Sequence, residues 1–398
     1  MAQLKAGAAK RSINPTDSCN LGGYSKTDNI LVSFIFHRKS TGIHDDIYAR
    51  SLALQVDGET VVMTALDLLV ALENDITAIR KRAVEKLGRS DIHLLVGSVH
   101  NHAAPDTSGA YGGVPREYRQ FLYDRASDAI VEAVRNLQPA RIGFADTTVE
   151  GILGNNLDPK GNVTDPYLPV MRLTDLQERG IATLVNFPCH VNILDGRNTL
   201  VSADFAHYVM SMLESHLGGM GIYFNGAVGD MYPLQVLKEA APDEDLRTFD
   251  QCKLFGETIA AAAIDAIKPA TMSEEVDLAI RKATVDLPIG NWRLWLARWL
   301  RIIPPRTLYN RKVRTESWGI RLNDAQIVTI PGQILVELGF RLRARMTTRY
   351  KFILGCTNDD LVYIVPPEKF ESLRGKEEGM INLGPNTWPV LAEAIPTF

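Results

Sequence analysis

Cysteine is scarce in this chain and never closely spaced. Only four occur in 398 residues, Cys19, Cys189, Cys252 and Cys356, with no Cys-x-x-Cys pair. That argues against a disulfide framework and against a cysteine-rich zinc knuckle, and buried free thiols are the expectation. Long apolar runs are missing as well. No uninterrupted stretch would span a bilayer, and the start, Met1-Ala-Gln-Leu-Lys-Ala-Gly-Ala-Ala-Lys-Arg11, lacks the apolar segment of a secretory signal, so a cytoplasmic chain is expected. Nor is there an excess of positive charge: a formal net charge of -4 offers no overall attraction to nucleic acid. With no internal repeat, low-complexity tract or linker, residues 1–398 read as one large domain.

What is present is an ordinary globular composition, 45% hydrophobic and 23% charged, with ample material for a core. Strand and helix signals alternate along it. Ser51 to Asp67 reads as a β-hairpin turning at Asp57-Gly58. Residues 74–87, with Ile76, Ile79, Val84 and Leu87 among arginines and lysines, read as an amphipathic helix. The apolar strand from Ile92 completes a β-α-β unit. Further strands are expected from Arg141, over 168–173 and 181–187, from Ile222, and over 276–287, 324–330 and 352–354, with helices over 115–137, 208–217 and 246–267. The pattern predicts an α/β fold with a mixed β-sheet flanked by helices and an active site at the carboxyl ends of the strands.

His100 and His102 close the strand that starts at Ile92. On extended backbone, residues i and i+2 project to one face, so both rings can look into one cavity; a pair of polar loop residues is the plainer reading. His190 again stands just past an apolar strand, Ile181 to Phe187. Asp67, Asp204 and Asp230 sit near strand ends, either to orient the histidines or as loop caps. His93, His207 and His216 read as packing or surface residues. The segment Asn291 to Ile303 places Trp292, Trp295, Trp299 and Ile302 at helical spacing among arginines, stopped by Pro304-Pro305. It could meet a lipid interface, pack on the protein as an apolar stripe, or, over 289–318, form a lid whose Trp295 and Trp299 touch a hydrophobic substrate.

Taken in order, Gly42-Ile-His44, Ala65-Leu-Asp67, Ser98-Val-His-Asn-His102, Asn186-Phe-Pro-Cys-His190, Ser202-Ala-Asp204, Asn225-Gly-Ala-Val-Gly-Asp230, Pro331-Gly-Gln333 and the run from Asn358 to Tyr363 resemble the neutral (non-lysosomal) ceramidase family. The similarity spans nearly the whole chain but only the family's catalytic domain; its immunoglobulin-like C-terminal domain is not expected here. The resemblance implies hydrolysis of the amide of an N-acyl sphingoid base, with one zinc ion held by two histidines, a glutamate and a tyrosine. Carried onto this sequence, the ligands would be His100, His190 and Tyr363, with Gln333 at the position of the glutamate. His102 would lie beside the metal and relay protons, Tyr363 would help hold the oxyanion, and His44 joins the substrate-binding candidates.

Two residues depart from the family's pattern. Gln333 replaces an anionic ligand by an amide, a weaker donor. Glu337, four residues on, is a candidate to supply a carboxylate if a helix begins at Pro331, or else a solvated helix residue. Tyr232, in Gly229-Asp-Met-Tyr-Pro233, stands where the family has a serine implicated in catalysis. Tyr232 and Asp230 therefore join the catalytic candidates, and the scissile bond widens to an amide, ester or lactone. The expectation is a zinc-dependent hydrolase of a small or lipid-like substrate, with peripheral membrane contact and self-association left open. The alternative, motivated by Gln333, is a weak or inactive relative that binds a lipid or other amphiphile.

Overall fold

Asp57 (φ 49°) and Gly58 (φ 85°) take the left-handed conformations that a two-residue hairpin turn requires, and the strands on either side pair antiparallel, as the sequence predicts. The computed structural model describes residues 1–24, 37–158, 163–237, 246–299 and 306–398. The hairpin belongs to a mixed nine-stranded sheet. Its long strands are β1 (Ala2–Ser12), β2 (Tyr48–Val56), β3 (Glu59–Leu66), β4 (Ile92–Ser98), β5 (Gln138–Thr148), β6 (Tyr167–Asp175), β7 (Gly180–Phe187) and β8 (Met220–Asn225). They run in the order β8-β7-β6-β5-β1-β2-β3-β4, with Glu275–Val276 beside β1.

The seam between β1 and β5 is short, only Lys5 with Pro139 and Ala6 with Gln138. The sheet folds there, and β8 comes up against β3 and β4. Alternation along the strands records the result. Leu52, Leu54, Met63 and Leu95 join Leu184 and Phe224 in one core spanning both halves. Ala53, Val62, Leu94 and Val96 belong instead to a core shared with two helices, α1 (Glu73–Leu87) and α2 (Arg116–Arg135). The other half is covered by α3 (Asp204–Leu217) and α4 (Phe249–Ile267). The fold class is therefore the expected mixed sheet flanked by helices. All four cysteines are free and buried.

A second sheet was not legible as such. β9 (Leu278–Pro288), β10 (Lys312–Leu322), β11 (Ala325–Thr329) and β12 (Tyr350–Leu354) form it in that order. Strands were expected over 276–287, 324–330 and 352–354 but not over Lys312–Leu322; a strand pattern does not name its partner, and β11 pairs parallel with β12 across the helix α6 (Val336–Arg345). The two sheets are tied by Asn186 at the end of β7. Its Nδ2 donates to the carbonyls of Phe224 (3.0 Å) and Ile353 (2.9 Å), and its Oδ1 accepts the Ile353 amide (2.9 Å).

The tryptophan segment corrects another expectation. A helix, α5, spans Trp292–Trp299, yet it does not pack as an apolar stripe: Trp292 is 64% and Trp299 78% exposed. Seven residues bring those two rings to the same side of a helix, with Trp295 set off from them. The helix docks along Leu294 and Trp295, which line a cavity, and leaves the other line outward. Ile302 and Pro304-Pro305 lie outside the described residues. Among the described residues no helix is long and apolar enough to cross a membrane.

Candidate metal centre

The backbone just past β4 is pinned before it reaches the first histidine. The amides of Val99 and Asn101 donate to the carbonyls of Leu66 and Leu68, and between them His100 turns through φ 59°, a left-handed conformation that a residue with a Cβ adopts only under constraint. That turn aims the ring inward. Nδ1 donates to the Leu69 carbonyl at 3.1 Å, and because a carbonyl only accepts, the proton sits on Nδ1 and the Nε2 lone pair faces away. His190, beyond β7, repeats the device: its Nδ1 donates to the Met231 carbonyl at 3.1 Å. Its ring stacks on Tyr232, centroids 4.1 Å apart and planes within 8°.

His102 arrives through the bridge that pairs Asn101 with Val191, and its amide donates to the Val191 carbonyl. The ring centroids of His100 lie 4.9 Å from those of His102 and 4.7 Å from those of His190. One ring nitrogen from each of the three lies within 4.8 Å of the others. Nε2 of His190 and both ring nitrogens of His102 are buried and make no hydrogen bond among the described residues. Burial, reinforced by mutual repulsion, holds His100 and His102 well below the usual imidazole range, and burial alone brings His190 down to about 4. Three neutral imidazoles with ring nitrogens this close together are a group that could hold a cation.

The opposite wall comes from the C-terminal third. Gln333 and Tyr363 are register partners on the paired short strands Gln333–Ile334 and Tyr363–Ile364. Both are buried, and Gln333 Oε1 is unpartnered among the described residues. The Tyr363 hydroxyl is hydrogen-bonded to that of Tyr232, the tyrosine stacked on His190. The structure thus brings together His100, His102, His190, Tyr232, Gln333 and Tyr363. Tyr24, unmarked in the sequence beyond its turn motif, closes the site with its ring 5.1 Å from His102. Gly23 beside it must be glycine, since a Cβ there would stand 2.3 Å from His102 Nδ1 at φ +83°.

Other candidates go elsewhere. Glu337 does not reach the site, because the chain runs on as strand through Gln333–Ile334 and α6 begins only at Val336; its carboxylate pairs with Lys369. Asp230 accepts the Val336 amide (2.7 Å) and the Asn155 side chain (3.0 Å), so it anchors the start of α6 rather than a histidine. Asp204 accepts the amides of Leu194 and Phe205. Of the two readings of these aspartates, the loop cap holds for Asp204 and Asp230, and backbone carbonyls orient the rings of His100 and His190. His44 is exposed, stacks on Phe249 and pairs with Asp45, away from the cluster's contacts. His93, His207 and His216 make surface contacts with Glu59, Asp45 and the Met212 carbonyl.

Two residues that sequence reasoning missed hold the site together. Arg38 is almost fully buried, and its guanidinium donates to four carbonyls, those of Gly22, His102, Asp195 and Asn198. An arginine beside an apolar stretch carries no sequence signal for that role. The other is Asp360: His100, Cys356 and Asp360 form a second group whose ligating atoms lie within 4.8 Å of one another.

Asp67 lies outside this machinery. It is fully buried, accepts the Tyr48 amide at 2.8 Å and sits 3.9 Å from Arg50, and burial pushes its carboxyl from 3.8 up to about 6. A raised carboxyl stabilises the fold while protonated. The contribution is complete below the unfolded value near 4 and is lost as pH rises through about 6. Two pK units correspond to about 3 kcal/mol. Asp67→Asn should therefore gain up to about 3 kcal/mol relative to the parent between about pH 4 and 7, read by urea denaturation at both ends; a pH-independent difference would contradict it.

No protein-family profile and no curated protein matches the chain. Solved structures do. A ceramidase complexed with C2 superposes with a TM-score of 0.76 at 18% identity, covering 97% of this chain and 73% of that one. The neutral ceramidase from Pseudomonas aeruginosa superposes with a TM-score of 0.76 at 17% identity, covering 97% and 72%. The chain has the fold of these proteins.

Proposed function

We propose that this protein is a zinc-dependent hydrolase of ceramidase type, cleaving an amide or a related ester or lactone in a substrate with an apolar acyl group. The observation that carries the reading is the convergence of His100, His102 and His190, whose ring nitrogens lie within 4.8 Å of one another, with the rings of His100 and His190 tied to backbone carbonyls. The donor set fits zinc, which takes imidazole nitrogen readily and tolerates low coordination numbers. Bound there, the ion would polarise a substrate carbonyl and lower the pKa of a water towards roughly 7.

His100 and His190 hold the metal in this reading. His102, with both ring nitrogens unpartnered, carries a proton between the attacking water and the leaving group. The phenols of Tyr232 and Tyr363 are hydrogen-bonded to one another, which leaves one O–H to donate to the developing oxyanion.

Beside this wall lies a mainly apolar cavity of about 240 Å³, lined by Val70, Leu72, Leu294, Trp295, Leu361 and Val362, with Asp360 among its walls. Asp360 belongs to the group around His100, so the cavity abuts the metal centre. Its volume is below the roughly 300 Å³ at which drug-sized sites begin, which suits a short acyl group or the end of a longer one. Trp292 and Trp299, exposed on the helix that also supplies Trp295, favour an amphiphilic substrate met at an interface.

The metal-stripped protein should lose hydrolysis of a short N-acyl substrate and regain it with one equivalent of zinc. A long-chain N-acyl substrate should be turned over more slowly than a short one unless presented in a micelle. Full hydrolysis after exhaustive chelation would sink the zinc reading; stoichiometric amphiphile binding without turnover at any zinc level would favour the inactive binder.

A further inference from the structure

Gln333 leaves the centre without the carboxylate that would neutralise a divalent cation, and the fold delivers one from a different place. Residues 356–358 lie against the edge of β4 as an added antiparallel segment. Ser98 donates to the Cys356 carbonyl (3.0 Å) and Asn358 to the Val96 carbonyl (2.7 Å), while the Asn358 side chain accepts the Val96 amide (3.1 Å). Gly97 permits that approach, since a Cβ there would stand 2.4 Å from Thr357 Oγ1.

The loop is held in an unfavourable shape. Cys356 (φ 47°), Asn358 (φ 71°) and Val362 (φ 59°) all lie in the left-handed region, and for β-branched Val362 this is a true outlier. Such strain persists only where the surroundings over-determine it, and it clusters at functional sites.

What the strained loop presents is Asp360. The adjacent Asp359 turns away to pair with Arg306. Asp360 Oδ1 accepts the Val362 amide at 2.9 Å and so braces the loop, while Oδ2 is buried and makes no hydrogen bond among the described residues. The side chains of Gln333 and Cys356 lie against the same carboxylate. His100 is common to the imidazole group and to a second group formed with Cys356 and Asp360, which makes Asp360 the carboxylate grouped with an imidazole of the cluster.

We propose that Asp360 supplies the anionic metal ligand, with Gln333 demoted to a positioning residue whose amide holds that carboxylate; the inference rests on the metal-centre reading above. Displacing glutamate by glutamine at 333 is then compensated in charge from a loop 27 positions on rather than lost.

The test is a zinc titration of the metal-stripped full chain against a chromophoric chelator, with cobalt absorption as a second readout. Asp360→Asn should weaken zinc binding roughly 100-fold or more, beyond the 10–100-fold typical of groups that only support a ligand, and Gln333→Ala by no more than about 10-fold. Asp360→Cys should bind cobalt with a thiolate charge-transfer band absent from the parent, and that signature stands even if Asp360→Asn folds poorly. Parent-like affinity in Asp360→Asn, or cobalt bound by Asp360→Cys without the band, overturns the assignment while leaving the histidine site intact. A parent chain that binds no zinc removes the metal centre itself, and this inference with it.

Discussion

His190→Ala should abolish hydrolysis, lowering kcat/KM by roughly 10³-fold or more while leaving the fold in place. The magnitude follows from what the ligand supports: metal stabilisation of transition-state charge is worth several kcal/mol, and about 4 kcal/mol is a factor of about 10³. The structural loss is smaller. Alanine removes the Nδ1 hydrogen bond to the Met231 carbonyl and the stack on Tyr232, but that carbonyl still accepts the residue-190 backbone amide at 2.9 Å. Stability should fall by about 1–2 kcal/mol. Steady-state kinetics beside a thermal melt separates the two effects. A variant retaining more than a tenth of parental activity would show that His190 does not hold the reacting centre.

Asn186→Ala should be the most destabilising single change, by about 3–5 kcal/mol. Asn186 occupies the open side of β12 as a further strand would, taking both the amide and the carbonyl of Ile353 while also holding the Phe224 carbonyl. Alanine leaves these three buried backbone groups without their partner, each at about 1–3 kcal/mol. The damage should spread, because Asn186 stands four residues before His190 and on the tie between the sheets. Urea denaturation gives the stability change directly. A loss below about 1 kcal/mol would mean that the two sheets do not depend on this tie.

The fate of Asn186 also shows what kind of information the sequence carries. His100, His102 and His190 were legible because strand periodicity locates strand ends, and parallel strands collect their loops at one edge. The asparagines of the motifs were visible as letters but not as cross-links. Asn101 donates to the Ser202 carbonyl, Asn225 to that of Val99, and Asn358 receives the Val96 amide, contacts among chain segments that no local pattern pairs. The same blindness hid the second sheet and Arg38. For Glu337 the sequence left open a ligand and a helix residue, and the strand at Gln333–Ile334 ahead of the helix decides for the second. Asp360 was passed over because spacing cannot tell it from Asp359, and only docking of the loop on Gly97 decides which of the two faces His100. The tryptophan helix was legible, but spacing left a packed stripe, an interface and a lid open together, since it assigns a face but not what covers it; the exposure of Trp292 and Trp299 removes the packed stripe.

The claim on which the rest depends is that the histidines hold a metal, and metal content tests it most directly. After reconstitution with zinc and removal of excess by gel filtration, elemental analysis should find one zinc per chain in the parent and well under a tenth of that in His190→Ala. No stoichiometric zinc in the parent, or an undiminished ion in the variant, would contradict the account.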